Sequence, residues 1–134
     1  MASVTDIEGV GEAFGEKLKE AGIHTVEALL EAGKTPKGRA EVAAKSGIGE
    51  HHILKWVNHA DLFRINGVAG QFAELLDASG VDTVVELSHR VAEHLVEKMK
   101  EIDEAKHLTH RVPSLSEVQD WIEQAKKLPR AVEY

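Results

Sequence analysis

The sequence predicts an all-helical protein built from two copies of one unit. The first reason is an internal repeat, in which residues 7–29 match residues 65–87 without a gap. The second is the 3.6-residue spacing of apolar side chains, and the third is that no segment alternates apolar and polar residues as a strand does. We therefore expect two tandem repeats, residues 1–64 and 65–134, packed as one compact helical domain. The identical pairs are Ile7/Ile65, Gly9/Gly67, Val10/Val68, Phe14/Phe72, Glu16/Glu74, Leu18/Leu76, Gly22/Gly80, Thr25/Thr83, Val26/Val84 and Leu29/Leu87.

Helix-start and helix-stop residues divide the first repeat into four helices. Gly22 follows a run of helical spacing, and glycine there can end a helix in the left-handed conformation. Thr25 then suits an N-cap, and Thr35-Pro36 is typical of an N-cap followed by proline at the first helical position. The predicted helices lie near residues 12–21, 25–32, 36–46 and 50–63.

The second repeat carries the same kind of signals. Thr83 is followed by Glu86, and Ser114 by Glu117, which is the spacing of a capping box. The predicted helices lie near residues 70–79, 83–97, 98–110 and 115–128, and the tail 128–134 is expected to be extended and to pack back on the fold.

Two tryptophans extend the repeat beyond its gapless part. Trp56 resembles Trp121, and the larger offset means that the second repeat has about seven more residues before its tryptophan. Apolar neighbours surround both residues in the sequence, so we expect two core anchors rather than rings that stack on bases.

Composition and charge exclude several classes of function. The chain has 134 residues, no cysteine and a net charge of -7. Disulfides and thiolate metal sites are thereby excluded, and no apolar run reaches the roughly 20 residues of a membrane span. We expect a soluble cytoplasmic protein. No nucleophile elbow, phosphate loop or dinucleotide fingerprint is present, so we expect no enzyme, no cofactor and no small-molecule substrate.

Three glycine-containing segments match the hairpin of the helix-hairpin-helix motif. We name them the Gly9 hairpin (residues 7–11), the Gly47 hairpin (residues 45–55) and the Gly67 hairpin (residues 64–71). In such a hairpin the glycines permit a tight turn, and the amides at the start of the next helix can bind an anion. The alternative is that the glycines serve the turn alone.

Flanking charge ranks the hairpins as nucleic-acid contacts. Glu8, Glu12 and Glu16 surround the Gly9 hairpin and would repel phosphate. The Gly47 hairpin is the first candidate, and the nearly neutral Gly67 hairpin is the second. The candidate binding residues are Lys45, Ser46, Gly47, Gly49, His51, His52, Lys55, Arg64 and Gly67.

The eight histidines raise the question of a metal site. Glu86 and His89, and likewise Glu104 and His107, have a spacing that di-iron bundles use. Helix surfaces rich in these residue types produce that spacing by chance, and solvated faces with i,i+3 pairs are the favoured explanation. We therefore expect no metal site.

The whole chain resembles a family of uncharacterised prokaryotic proteins that form a domain of unknown function in the helix-hairpin-helix superfamily. The similar stretches are 7–11, 18–23, 35–39, 53–58, 60–62 and 113–134. The resemblance implies a tandem helix-hairpin-helix fold, and more distant relatives imply weak, sequence-independent DNA binding through hairpin amides. The alternative is a protein-interaction or self-assembly scaffold, which would bind a protein partner or form a homo-oligomer, and in which the hairpins are purely structural.

Overall fold

A computed structural model describes residues 2–134 of the chain. Every regular element of these residues is helical, and an isolated bridge between Ser3 and Thr25 is the one β-type contact found among them. The prediction of an all-helical protein is therefore confirmed. Contacts divide the chain into two compact units, one running up to Asp61 and including Ala131–Tyr134, the other comprising Leu62–Arg130.

The first unit consists of a short 3-10 helix followed by four α-helices. Thr25 accepts a hydrogen bond from the N–H of Ala28 at 3.0 Å, and Thr35 accepts one from Gly38 at 3.0 Å, so both predicted N-caps are confirmed. The helices are Val4–Asp6 (3-10), α1 Gly11–Glu20, α2 Val26–Gly33, α3 Pro36–Ser46 and α4 Glu50–Leu62.

The C-terminal residues complete the first unit. The side chain of Val132 is 2% exposed, and the N–H of Glu133 donates to the carbonyl of Lys34 at 2.7 Å. Arg39 is buried and donates to the Glu133 carbonyl at 2.8 Å. The hydroxyl of Tyr134 donates to Oδ1 of Asn58 at 3.1 Å. The prediction that the tail packs back on the fold is confirmed for these residues, which form no helix or strand.

The second unit contains four helices around one apolar core. The core includes Leu62 and Ile65, and Phe63 is half buried against it. The helices are α5 Gly70–Ala78, α6 Val84–Ser88, α7 Ala92–Lys106 and α8 Leu115–Lys127.

The predicted boundary between helices 83–97 and 98–110 is wrong, because the structure breaks the helix near residue 90 and continues it through residue 98. The chain leaves the helix after Ser88, and Val91 is extended with φ -97° and ψ 124°. One helix then runs from Ala92 through residue 98 to Lys106, because its buried residues Ala92, Leu95, Val96 and Met99 keep helical spacing across the predicted break. Asp103 ends this helix by accepting hydrogen bonds from the amides of Leu108 and Thr109.

Matched positions of the repeat have matching local geometry. The φ angles of Gly9 and Gly67 are 90° and 98°. Ring centroids lie 5.1 Å apart for Phe14 and Trp56 and 5.4 Å apart for Phe72 and Trp121. Both tryptophans are 2% exposed, so the prediction that they are core anchors is confirmed.

Candidate functional site

The Gly47 hairpin turns the chain from α3 into α4. Gly47 is left-handed with φ 72°, and its N–H donates to the carbonyl of Ala43 at 2.9 Å. The hydroxyl of Ser46 donates to the carbonyl of Val42 at 2.7 Å and accepts from the N–H of Ile48 at 3.3 Å. Ser46 therefore stabilises the turn itself.

The apolar residue of the hairpin is a core residue, and its two flanking glycines face solvent. Ile48 is 3% exposed, whereas Gly47 and Gly49 are exposed. The amides of His52 and Ile53 donate to the carbonyl of Gly49 at 3.1 and 3.2 Å. Gly49 thus begins the hydrogen bonding of α4, and the positive end of the α4 dipole lies at this exposed turn.

Three basic side chains lie at the surface of this hairpin. Lys45, His51 and Lys55 are exposed, and exposed Glu50 opposes them. The ring of His51 lies over Gly49, since a Cβ added to that glycine would be 3.0 Å from His51 Cε1. A larger residue at position 49 would displace the imidazole from the turn.

His52 differs from the other candidate residues of this hairpin. It is half buried, and its ring is stacked on Trp56 with centroids 5.5 Å apart and an interplanar angle of 19°. The centroid of the Phe14 ring lies 5.4 Å from that of the His52 ring, so the three rings form one aromatic cluster. These contacts indicate that His52 serves packing in the first unit.

The Gly67 hairpin uses several of its polar groups within the second unit. Nη2 of Arg64 donates to the carbonyl of Pro129 at 2.7 Å. The N–H of Asn66 donates to Oε1 of Gln124 at 2.8 Å, and Nε2 of Gln124 donates back to the Asn66 carbonyl at 3.1 Å. Gly67 itself is exposed. These bonds fix the hairpin on α8.

The Gly9 hairpin has the tight glycine turn of the motif, but acidic side chains surround it. Gly9 and Gly11 both have positive φ, and α1 begins at Gly11 without a side-chain cap. Glu8, Glu12 and Glu16 are all exposed. Their charges oppose a phosphate at the start of α1.

Sequence reasoning missed the structural roles of Arg39 and Gln124. Arg39 precedes the Gly47 hairpin, but its guanidinium donates to the carbonyls of Gly33, at 3.0 Å, and Glu133. The side-chain amide of Gln124 hydrogen-bonds to the backbone of Asn66, which lies 58 residues earlier in the sequence. No local pattern identifies either residue, because both partners are backbone groups that tertiary structure supplies.

A family model matches residues 8–128, under the description Domain of unknown function (DUF4332). The chain belongs to this family. No curated protein and no solved structure matches it. Among the described residues of this DUF4332 protein, no helix is long and apolar enough to cross a membrane.

Proposed function

We propose that this protein is a non-enzymatic helix-hairpin-helix module that binds nucleic-acid phosphate weakly and without sequence preference through the Gly47 hairpin. The supporting observation is the exposed turn at the start of α4, flanked by Lys45, His51 and Lys55. Exposed glycines let a phosphate oxygen approach the backbone, and the helix dipole favours the anion there.

The small number of cations limits the affinity. A contact that neutralises about two or three phosphates gives a salt slope of about -2 to -3 on logarithmic axes. The net charge of -7 opposes association at long range. Binding is therefore weak at moderate salt and strengthens at low salt.

A second proposal is a protein-interaction or self-assembly scaffold with structural hairpins. The observation that favours it is the Gly67 hairpin, where Arg64 and the Asn66 amide are bonded to groups of the second unit. A hairpin held in this way serves the packing of α8 and leaves the outer helix faces for a protein partner.

Fluorescence anisotropy with a labelled duplex of about 20 base pairs, at several salt concentrations, tests the first proposal. Lys45→Glu and Lys55→Glu should each weaken binding about tenfold at low salt, since each removes one favourable contact and adds a repulsive one. Lys17→Glu is the matched control, because Lys17 is exposed on α1 in the acidic surround of the Gly9 hairpin. It should change the affinity less than about threefold.

Tight binding at moderate salt that both substitutions leave intact would place the contact elsewhere. If no binding occurs at low salt, the scaffold proposal remains. Analytical ultracentrifugation of the same samples then tests self-association directly.

A further inference from the structure

The second unit contains a cavity of about 390 Å³ between the end of α5 and the first half of α7. Its titratable lining residues are His89, Arg90, His94 and Lys98. No aspartate or glutamate of the described residues lines it, and the carboxylate of Glu86 pairs with Arg90 at 2.7 Å. Lys98 and His94 are exposed at its mouth. Such a lining favours an anionic ligand.

Ser79 lines the same cavity and supplies an independent indication of a ligand. It is 4% exposed, and its Oγ has no hydrogen-bond partner among the described residues. Buried hydroxyl groups in native proteins almost always have a partner. The Oγ atom itself is buried, so rotation about χ1 towards the cavity would bring this hydroxyl to a ligand oxygen.

Helix α7 adds backbone donors at the cavity. Its N-cap, Val91, makes no side-chain capping bond, so the first-turn amides are not satisfied by a side chain of that residue. Val91, His94, Leu95 and Lys98 all line the cavity and have the spacing of one helix face. The positive end of this 15-residue helix therefore lies next to Arg90, and Lys98 follows on the same face of the helix.

The first unit contains a cavity of the same construction with different chemistry. It has a volume of about 260 Å³, and its lining includes Ala21, Glu41, Val42 and Lys45. Ala21 occupies the repeat position of Ser79. Glu41, Val42 and Lys45 have the same spacing as His94, Leu95 and Lys98. The second cavity thus has the hydroxyl of Ser79 where the first has the methyl group of Ala21. It has the imidazole of His94 where the first has the carboxylate of Glu41.

We propose that the cavity of the second unit binds the phosphate group of a small phosphorylated solute. Ser79 donates to a phosphate oxygen, the first-turn amides of α7 bind the others, Lys98 supplies positive charge, and the imidazole of His94 donates a ring N–H. Arg90 is held at the wall, since its Nη2 donates to the Gly80 carbonyl at 2.9 Å and to the Glu86 carboxylate at 2.7 Å. The first unit does not bind phosphate in its cavity, because Glu41 repels it.

Titration of the full chain with inorganic phosphate at constant ionic strength, followed by ¹H–¹⁵N NMR, tests this proposal. The amides of Ala92, Glu93 and His94 should shift with one saturable curve. Ser79→Ala and His94→Glu, which copy Ala21 and Glu41 of the first unit, should weaken binding about threefold and at least about tenfold.

Lys100→Glu is the matched control on the same helix. Lys100 is exposed, pairs with Glu97 at 3.8 Å and does not line the cavity, so this substitution should leave the affinity within about twofold. An equal loss with Lys100→Glu, non-saturating shifts, or shifts confined to the first unit would overturn the proposal.

Duplex DNA added to the phosphate-saturated protein distinguishes the two sources of phosphate. Phosphate that stays bound indicates a solute site. Displacement of phosphate from the α7 amides would overturn the solute assignment and assign the cavity to nucleic acid. The Gly47 hairpin substitutions do not touch this cavity, so the two proposals succeed or fail separately.

Discussion

Replacing Gly67 by alanine tests the close approach of the Gly67 hairpin to Trp121. The φ angle of Gly67 is 98°, and left-handed backbone costs a residue with a Cβ about 1–2 kcal/mol. The new Cβ would also lie 3.0 Å from Nε1 of Trp121, an indole that is 2% exposed. Displacing a packed side chain costs about 1–3 kcal/mol, so the free energy of unfolding should fall by about 3 kcal/mol.

Gly9→Ala is the matched control in the first unit. The φ angle of Gly9 is 90°, but its added Cβ would lie 3.8 Å from Nε1 of Trp56, which is ordinary contact. Only the backbone cost remains, and the expected loss is about 1–2 kcal/mol. The difference between the two substitutions therefore measures the contact with the indole.

Urea unfolding followed by far-UV circular dichroism measures both losses. A larger loss for Gly67→Ala is expected, with unchanged native helicity. Equal losses would show that the indole moves without cost and would refute the packing argument. No loss for either variant would refute the requirement for positive φ.

Two further predictions concern the second unit. Phe63→Ala should lower the free energy of unfolding by about 2 kcal/mol in the same urea assay, less than a fully buried phenylalanine, because Phe63 is half buried against the core. Arg111 and the capping bond to Ser114 hold the pKa of Glu117 at about 2, below its ordinary value of 4.5. Arg111→Gln should therefore raise this pKa, as a carboxyl ¹³C NMR titration would show, and an unchanged value would assign the shift to capping alone. Since the pKa is lowered in the folded state, the stabilisation is full above pH 4.5 and is lost as the pH falls towards 2.

Local signals account for the parts of the fold that the sequence predicted well. Ser114 caps α8 with both bonds of a capping box, as its spacing from Glu117 predicts. Thr83 accepts the N–H of Glu86, but the Glu86 carboxylate pairs with Arg90 at 2.7 Å. The bond from the N3 amide to the N-cap hydroxyl therefore follows from neighbouring residues alone. The second bond of the box, from the N-cap amide to the N3 carboxylate, also depends on whether another partner takes that carboxylate.

The division of α6 and α7 could not be read from glycine or proline, since neither occurs between Thr83 and Lys106. The cavities were missed for a related reason. The third helices of the two units align at an offset different from that of the first helices, so a gapless comparison pairs Glu41 with the wrong residue. Only the tertiary position of the helix face shows that His94 replaces Glu41.

The C-terminal residues should determine whether the first unit folds from a fragment. Removing residues 131–134 exposes the core beneath Val132, whose burial contributes about 1.5 kcal/mol. It also deprives buried Arg39 of the Glu133 carbonyl, at a cost of about 1–3 kcal/mol. Deleting residues 131–134 should thus destabilise the first unit by about 3 kcal/mol.

A fragment of residues 1–64 lacks this segment and ends just after Leu62, a residue of the second unit's core. We expect it to be largely unfolded or aggregated. Rejoining residues 131–134 through a flexible linker should restore part of the helicity, because Arg39 and Lys34 regain their partners. Circular dichroism of both fragments decides the matter. A 1–64 fragment with native helicity and a sharp thermal transition would show that the first unit is stable without its C-terminal segment.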